Sequence, residues 1–154
     1  MNADNAKRTV FLLGLLMYIG SFFLFAFGGG GGRPVRGYGA AILAVLMLSQ
    51  QNPFSPRSIF HDNLFEYVAL LISAWLNPLF LIAAALILLE QFQRAVAVLR
   101  IILVLMIPFC WVVFHCEALY PREGHFLWIF GMVLALFSGV KARGEGQRVT
   151  NPLD

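Results

Sequence analysis

Apolar residues in this chain run in long blocks parted by short polar breaks, not in the stripes that leave a soluble helix one wet face. Residues 10–27 form the first block, an apolar and aromatic run long enough to cross about 27 Å as a helix. Residues 64–89, 95–115 and 124–140 form three more, and each is predicted to be a transmembrane helix. A further apolar segment, residues 37–49 (GYGAAILAVLMLS), has only 13 residues, nearer to a re-entrant or interfacial helix than to a full crossing. The pattern predicts an all-α integral membrane protein: a four-helix transmembrane bundle plus one short apolar helix, re-entrant or a fifth span. Residues 1–140 then make a single transmembrane domain, and the polar stretch 141–154 reads as a disordered cytoplasmic tail.

The breaks between blocks carry their own signals. Lys7 and Arg8 precede the first block and Ala26-Phe27-Gly28 passes for a weak processing site, so a cleavable signal peptide is the rival reading. The length of the run and its bulky Phe residues favour a retained anchor. The glycines at 28–32, followed by Arg33 and Pro34, have no preferred conformation and read as a flexible connector. They lack the lysine and hydroxyl residue of a phosphate-cradling loop. Residues 50–63, with Pro53, Pro56, Arg57, His61 and Asp62, read as a surface loop, residues 90–94 as a turn, and residues 117–123, with Pro121 and Arg122, as a short polar loop. Tyr120, Phe126 and Trp128 fall where interfacial aromatics are expected.

Composition agrees with lipid as the main solvent: 60% of the 154 residues are hydrophobic and 12% charged, against roughly a quarter charged in soluble proteins. A net charge of +3 would suit nucleic acid only if the basic residues shared a face with exposed aromatics, and the eleven Lys and Arg are instead scattered between blocks. Four spans, with residues 37–49 not crossing, put Lys7, Arg8, Arg94, Arg100, Lys141, Arg143 and Arg148 inside and Arg33, Arg36, Arg57 and Arg122 outside. Seven against four obeys the positive-inside rule. A crossing by 37–49 inverts that count, and five spans with the N-terminus outside would strand Lys7 and Arg8 on the wrong side of the first helix. The expectation is four spans with both ends cytoplasmic. Arg100, six residues beyond Arg94 and so about 9 Å along the helix, is expected to snorkel back to the interface.

Few residues suggest chemistry. Asn77 and Pro78 lie near the middle of the block 64–89, and Pro78 leaves the carbonyl of Ala74 without its helical donor, as Pro108 does that of Val104. Counted from the turn near Phe92, the two prolines lie about 21 Å and 24 Å along antiparallel helices, so the defects share a depth. Freed backbone groups there need partners in protein or a wet cavity, which makes Asn77, Pro78 and Pro108 a candidate polar site. The bland alternative is an Asn77 that bonds a neighbouring helix for about 1 kcal/mol or less. His115, Cys116, Glu117, Glu123 and His125, sharing one membrane face with His61, Asp62 and Glu66, make an inventory that could bind a metal. Consecutive helical residues, however, point about 100° apart, so ordinary interfacial polar residues are the favoured reading. Cys110 and Cys116 are separated by about 9 Å and 240° on one helix and cannot bridge. Gly131, Ala135 and Gly139 repeat every four residues as a small-residue stripe, a helix–helix interface within the chain or with a partner.

AWLNPLF (residues 74–80), the apolar run to Glu90 with basic residues after it, and GHFLWIFGM (residues 124–132) resemble small, uncharacterised bacterial inner-membrane proteins in which a W-x-N-P-L helix precedes a G-[YH]-[YF]-L-W helix. The resemblance covers about half of the chain, implies a bacterial plasma membrane and implies no activity. Short loops and the lack of a catalytic constellation rank first a structural or accessory component that binds other membrane proteins, or itself, within the lipid bilayer. The alternative is a small oligomeric transporter or channel with its polar site at Asn77 and the paired prolines, against which stands the want of an intramembrane acid. A redox or metal enzyme ranks last, without a C-x-x-C pair. No enzymatic activity, cofactor, metal or nucleic acid is expected.

Overall fold

The structure, a computed structural model, describes residues 3–29, 33–50, 64–89, 92–116 and 118–139, with the backbone alone described over 47–50. Five helices and three short strands follow one another as α1 (Ala3–Ser21), β1 (Phe25–Gly29), β2 (Val35–Arg36), α2 (Gly37–Gln50), α3 (Leu64–Leu88), α4 (Gln93–Cys116), β3 (Leu119–Pro121) and α5 (Glu123–Leu136). The chain is thus mostly helical but not all-α. Its strands form one antiparallel sheet in the order β2-β1-β3.

The sheet corrects the expected first span. The helix within residues 10–27 stops at Ser21, whose hydroxyl turns back to donate to the Tyr18 carbonyl. Phe22, Phe23 and Leu24 then donate to the carbonyls of Ile19, Gly20 and Ser21 in tight turns, and the chain leaves as β1. Phe27, Gly28 and Gly29 pair with Pro121, Tyr120 and Leu119 of β3. Gly28 and Gly29 therefore belong to a strand and not to a flexible connector, while 30–32 lie outside the described residues. Pro121, which has no N–H to give, sits on an edge strand, where that loss is tolerated. The expected polar loop 117–123 likewise contains β3 and the first turn of α5.

Helices α1 and α5 run antiparallel with their backbones in contact. A Cβ added to Gly14 would meet the Ala135 nitrogen at 2.5 Å, and one added to Gly131 would meet the Tyr18 nitrogen at 2.6 Å. Only glycine fits at these two positions. Helices α3 and α4 form a second antiparallel pair. α3 buries Leu76, Phe80, Ala83 and Ile87, a stripe at helical spacing, whereas α4 buries the narrower seam Val96, Leu103 and Cys110. These residues share one core with Phe11 and Tyr18 of α1 and Met132 and Leu136 of α5.

The outward faces are apolar: Leu16, Ile82, Leu105 and Phe130 are each at least half exposed. Among the described helices, α3 and α4 are long and apolar enough to cross a membrane, while α2 and α5 are apolar but shorter. The block expected over 124–140 is helical only to Leu136. Gly139 lies beyond it with φ of +75° and packs beside the Lys7 side chain. The sheet covers the opposite end, where α1 and α4 finish and α2 and α5 begin. There the Arg36 and Arg122 guanidinium groups lie 5.9 Å and 5.8 Å from the Phe25 ring.

Candidate functional site

An amide in the middle of an apolar helix must find hydrogen-bond partners, because water is excluded there. Asn77 finds two. Its Oδ1 accepts from the Tyr18 hydroxyl of α1 at 3.0 Å and from the Trp128 indole Nε1–H of α5 at 2.8 Å. One oxygen thereby ties three helices together. Tyr18 is held in place by packing as well, with its ring 4.4 Å from Phe80 and edge-on to Phe22 at 5.2 Å. With Oδ1 filled, the Asn77 NH2 donates to no protein group among the described residues.

Asn77 lines a partly open cavity of about 330 Å³ beneath the sheet, bounded by the end of α1, α2, α3, α4 and the start of α5. Small side chains create the room: Ala40, Ala41 and Ala44 repeat along one face of α2, opposite Ala74 of α3. The polar lining consists of Ser21, Glu66, Ser73, Asn77, Cys110, His125 and the Trp128 indole. Ser73 donates to the Ala69 carbonyl at 2.8 Å, and its hydroxyl lies against the Cys110 thiol.

His125 is the unexpected member. Expected at the interface, it is instead 5% exposed. Phe114 stands edge-on to it at 4.6 Å, Trp128 lies 5.5 Å away and Trp111 5.7 Å. Neither ring nitrogen has a protein partner among the described residues, and Nε2 is fully buried. Buried polar groups nearly always carry a hydrogen bond, and His125 is among the residues lining the cavity.

The remaining expectations fall elsewhere. Pro78 and Pro108 sit inside continuous helices and are exposed on their outward sides, and neither lines the cavity. Shared depth is not shared orientation: Ala74 faces the cavity while Val104 is 40% exposed. Of Asn77, Pro78 and Pro108, only Asn77 lines the cavity. His115 and Cys116 are exposed at the end of α4, and Glu123 is held by Arg122 at 3.3 Å. His61, Asp62 and Glu117 lie outside the described residues, and among the described ones no three His, Cys, Asp or Glu converge as a metal requires. Gly131 and Ala135 are occupied within the chain by Gly14, and Gly139 is not in the helix. Arg100 does not lift its whole head group free, since Nε and Nη2 are buried without a hydrogen-bond partner.

Comparison with family models, curated proteins and solved structures finds no match. Within the chain, the two motifs singled out from the sequence meet: AWLNPLF contributes Asn77 and GHFLWIFGM contributes Trp128, and the two side chains share a hydrogen bond. Tyr18 was the site residue that sequence reasoning missed, while Trp128 and His125 are expected from the sequence at the interface. An apolar block containing a lone amide signals that a donor lies on some other helix, but not on which one.

Proposed function

We propose that this chain is a four-span protein of the plasma membrane that holds a small, largely apolar molecule in the cavity beneath its sheet. The observation that carries this reading is the buried His125 imidazole, whose Nε2 has no hydrogen-bond partner among the described residues, beside the Asn77 amide on the wall of a cavity whose other surfaces are mainly alanine and aromatic. Apolar clefts with a few convergent polar groups are the usual form of a small-molecule site, and about 330 Å³ lies at the lower end of their range. The reading involves no catalytic step, no metal and no cofactor.

Helix directions support four spans. α1 and α4 end at the sheet, and α2, α3 and α5 begin on that side. α2 and α3 therefore both begin at the same face. An α2 of 14 residues, about 21 Å, then serves as a wall in one leaflet and not as a fifth span. Lys7, Arg8 and Arg94 mark one end of the apolar belt and Arg33, Arg36 and Arg122 the other. The excess that the positive-inside count gives the first end rests on Arg100 and on Lys141, Arg143 and Arg148, of which the last three lie outside the described residues.

Purification into lipid nanodiscs followed by native mass spectrometry tests the proposal. The protein is expected to carry a bound small molecule near one-to-one, and Ala44→Phe, which fills the cavity, is expected to expel it. Both proteins appearing at the mass of the bare polypeptide contradicts the reading.

One observation favours a second reading, an accessory subunit. α4 buries only its narrow seam and exposes Val98, Ile101 and Leu105 beside Arg100, whose Nε and Nη2 have no hydrogen-bond partner among the described residues. A partner helix carrying a carboxylate would complete that face. It predicts a membrane protein that co-purifies stoichiometrically and is lost on Arg100→Leu.

A further inference from the structure

The atoms left unsatisfied in the cavity restrict what can fill it. Asn77 Oδ1 is taken by Tyr18 and Trp128, so the amide has only its two N–H donors to offer, and the Trp128 N–H is used in the same contact. A neutral His125 offers one N–H as well. The ligand must therefore bring acceptors. Among the described residues the lining holds no basic side chain apart from His125 and one carboxylate, Glu66, so an uncharged head group suits it better than an anionic one. Phe22, Phe27, Phe114 and Trp128 contribute aromatic surface to the lining, which suits a flat ring. An acyl chain would fill the volume yet leave both the imidazole and the amide without an acceptor.

We infer that the cavity receives the head group of a membrane quinone, with the Asn77 amide donating to one carbonyl and the His125 imidazole to the other. The inference rests on the ligand-site reading above and adds the chemical class of the ligand. It involves binding alone, with no electron transfer assigned to this chain.

The test titrates decylubiquinone into the full chain in nanodiscs of phosphatidylethanolamine and phosphatidylglycerol. Tryptophan emission is the readout, because a quinone seated against Trp128 quenches it. Trp75 and Trp111, 55% and 43% exposed, are both replaced by Phe in the background to remove quenching from the lipid side. Saturable one-to-one quenching is expected, weakened about tenfold by His125→Phe, the scale of one lost hydrogen bond. His125→Gln, which keeps a donor, should recover most of the affinity, and decylbenzene, which has a decyl tail but no carbonyl, should not displace the quinone. Quenching that never saturates, or that is unchanged in a His125→Phe protein with the parent melting temperature, overturns the inference. If His125→Phe does not fold, Ala44→Phe takes its place: saturable quenching must vanish, and its persistence overturns the inference. Failure of the quinone to bind, while native mass spectrometry still finds another molecule that Ala44→Phe expels, rejects the quinone and leaves the ligand site standing. A cavity that holds nothing in either experiment rejects both.

Discussion

At the scale of single residues, Asn77 combines a structural role with a binding one. Its carbonyl oxygen holds Tyr18 and Trp128, and removing it leaves a phenol and an indole N–H without an acceptor. Asn77→Leu is expected to destabilise the protein by about 2 kcal/mol, the scale of orphaning buried donors, read as a lowered midpoint in denaturant titration of the nanodisc-embedded chain. A loss near zero would mean that the two donors find other acceptors. Sequence alone made Asn77 legible as a polar group in an apolar block. Its partners were not legible, because Tyr18 is 59 positions away and Trp128 is 51. His125 was misread for a related reason. A histidine near the start of an apolar block looks interfacial until β1 is known to fold across that end, placing the Phe25 carbonyl oxygen where a Cβ on Gly124 would lie 2.7 Å away.

At the scale of elements, the long apolar blocks were legible as helices, of which α3 and α4 are long and apolar enough to cross a membrane. Their ends were not. Residues 25–29 are as apolar as the helix before them, and what makes them a strand is pairing with residues 119–121, far along the chain. The stripe of Gly131 and Ala135 was legible as a contact surface, but its partner, Gly14 of α1, appears only in the fold. Gly131→Ala should separate α1 from α5, destabilising by about 2 kcal/mol as overpacking does, seen as protease sensitivity of the intact chain. Near-parent stability would show that the helices can part without loss. The prolines give the opposite expectation. Since Pro108 is exposed and does not line the cavity, Pro108→Ala should leave ligand retention unchanged in native mass spectrometry, and loss of ligand would restore the paired-proline site.

At the scale of the whole molecule, two antiparallel pairs, α1 with α5 and α3 with α4, share one core. A small sheet and the short α2 close one end around the cavity. This arrangement accounts for an α1 that stops at Ser21 and for an α2 of only 14 residues: both serve the cap. The four-span proposal places every strand on the same side of the membrane, with the α3–α4 turn on the other.

Cysteine labelling in intact cells tests that proposal directly. In a Cys110→Ala, Cys116→Ala background, Arg36→Cys and Arg122→Cys are each exposed to a membrane-impermeant maleimide, beside Arg94→Cys. The account predicts labelling at positions 36 and 122 without permeabilisation, and at position 94 only after it. Labelling that separates 36 from 122, or that reaches 94 in intact cells, contradicts the four-span account and the placement of the cavity beneath an outward-facing sheet.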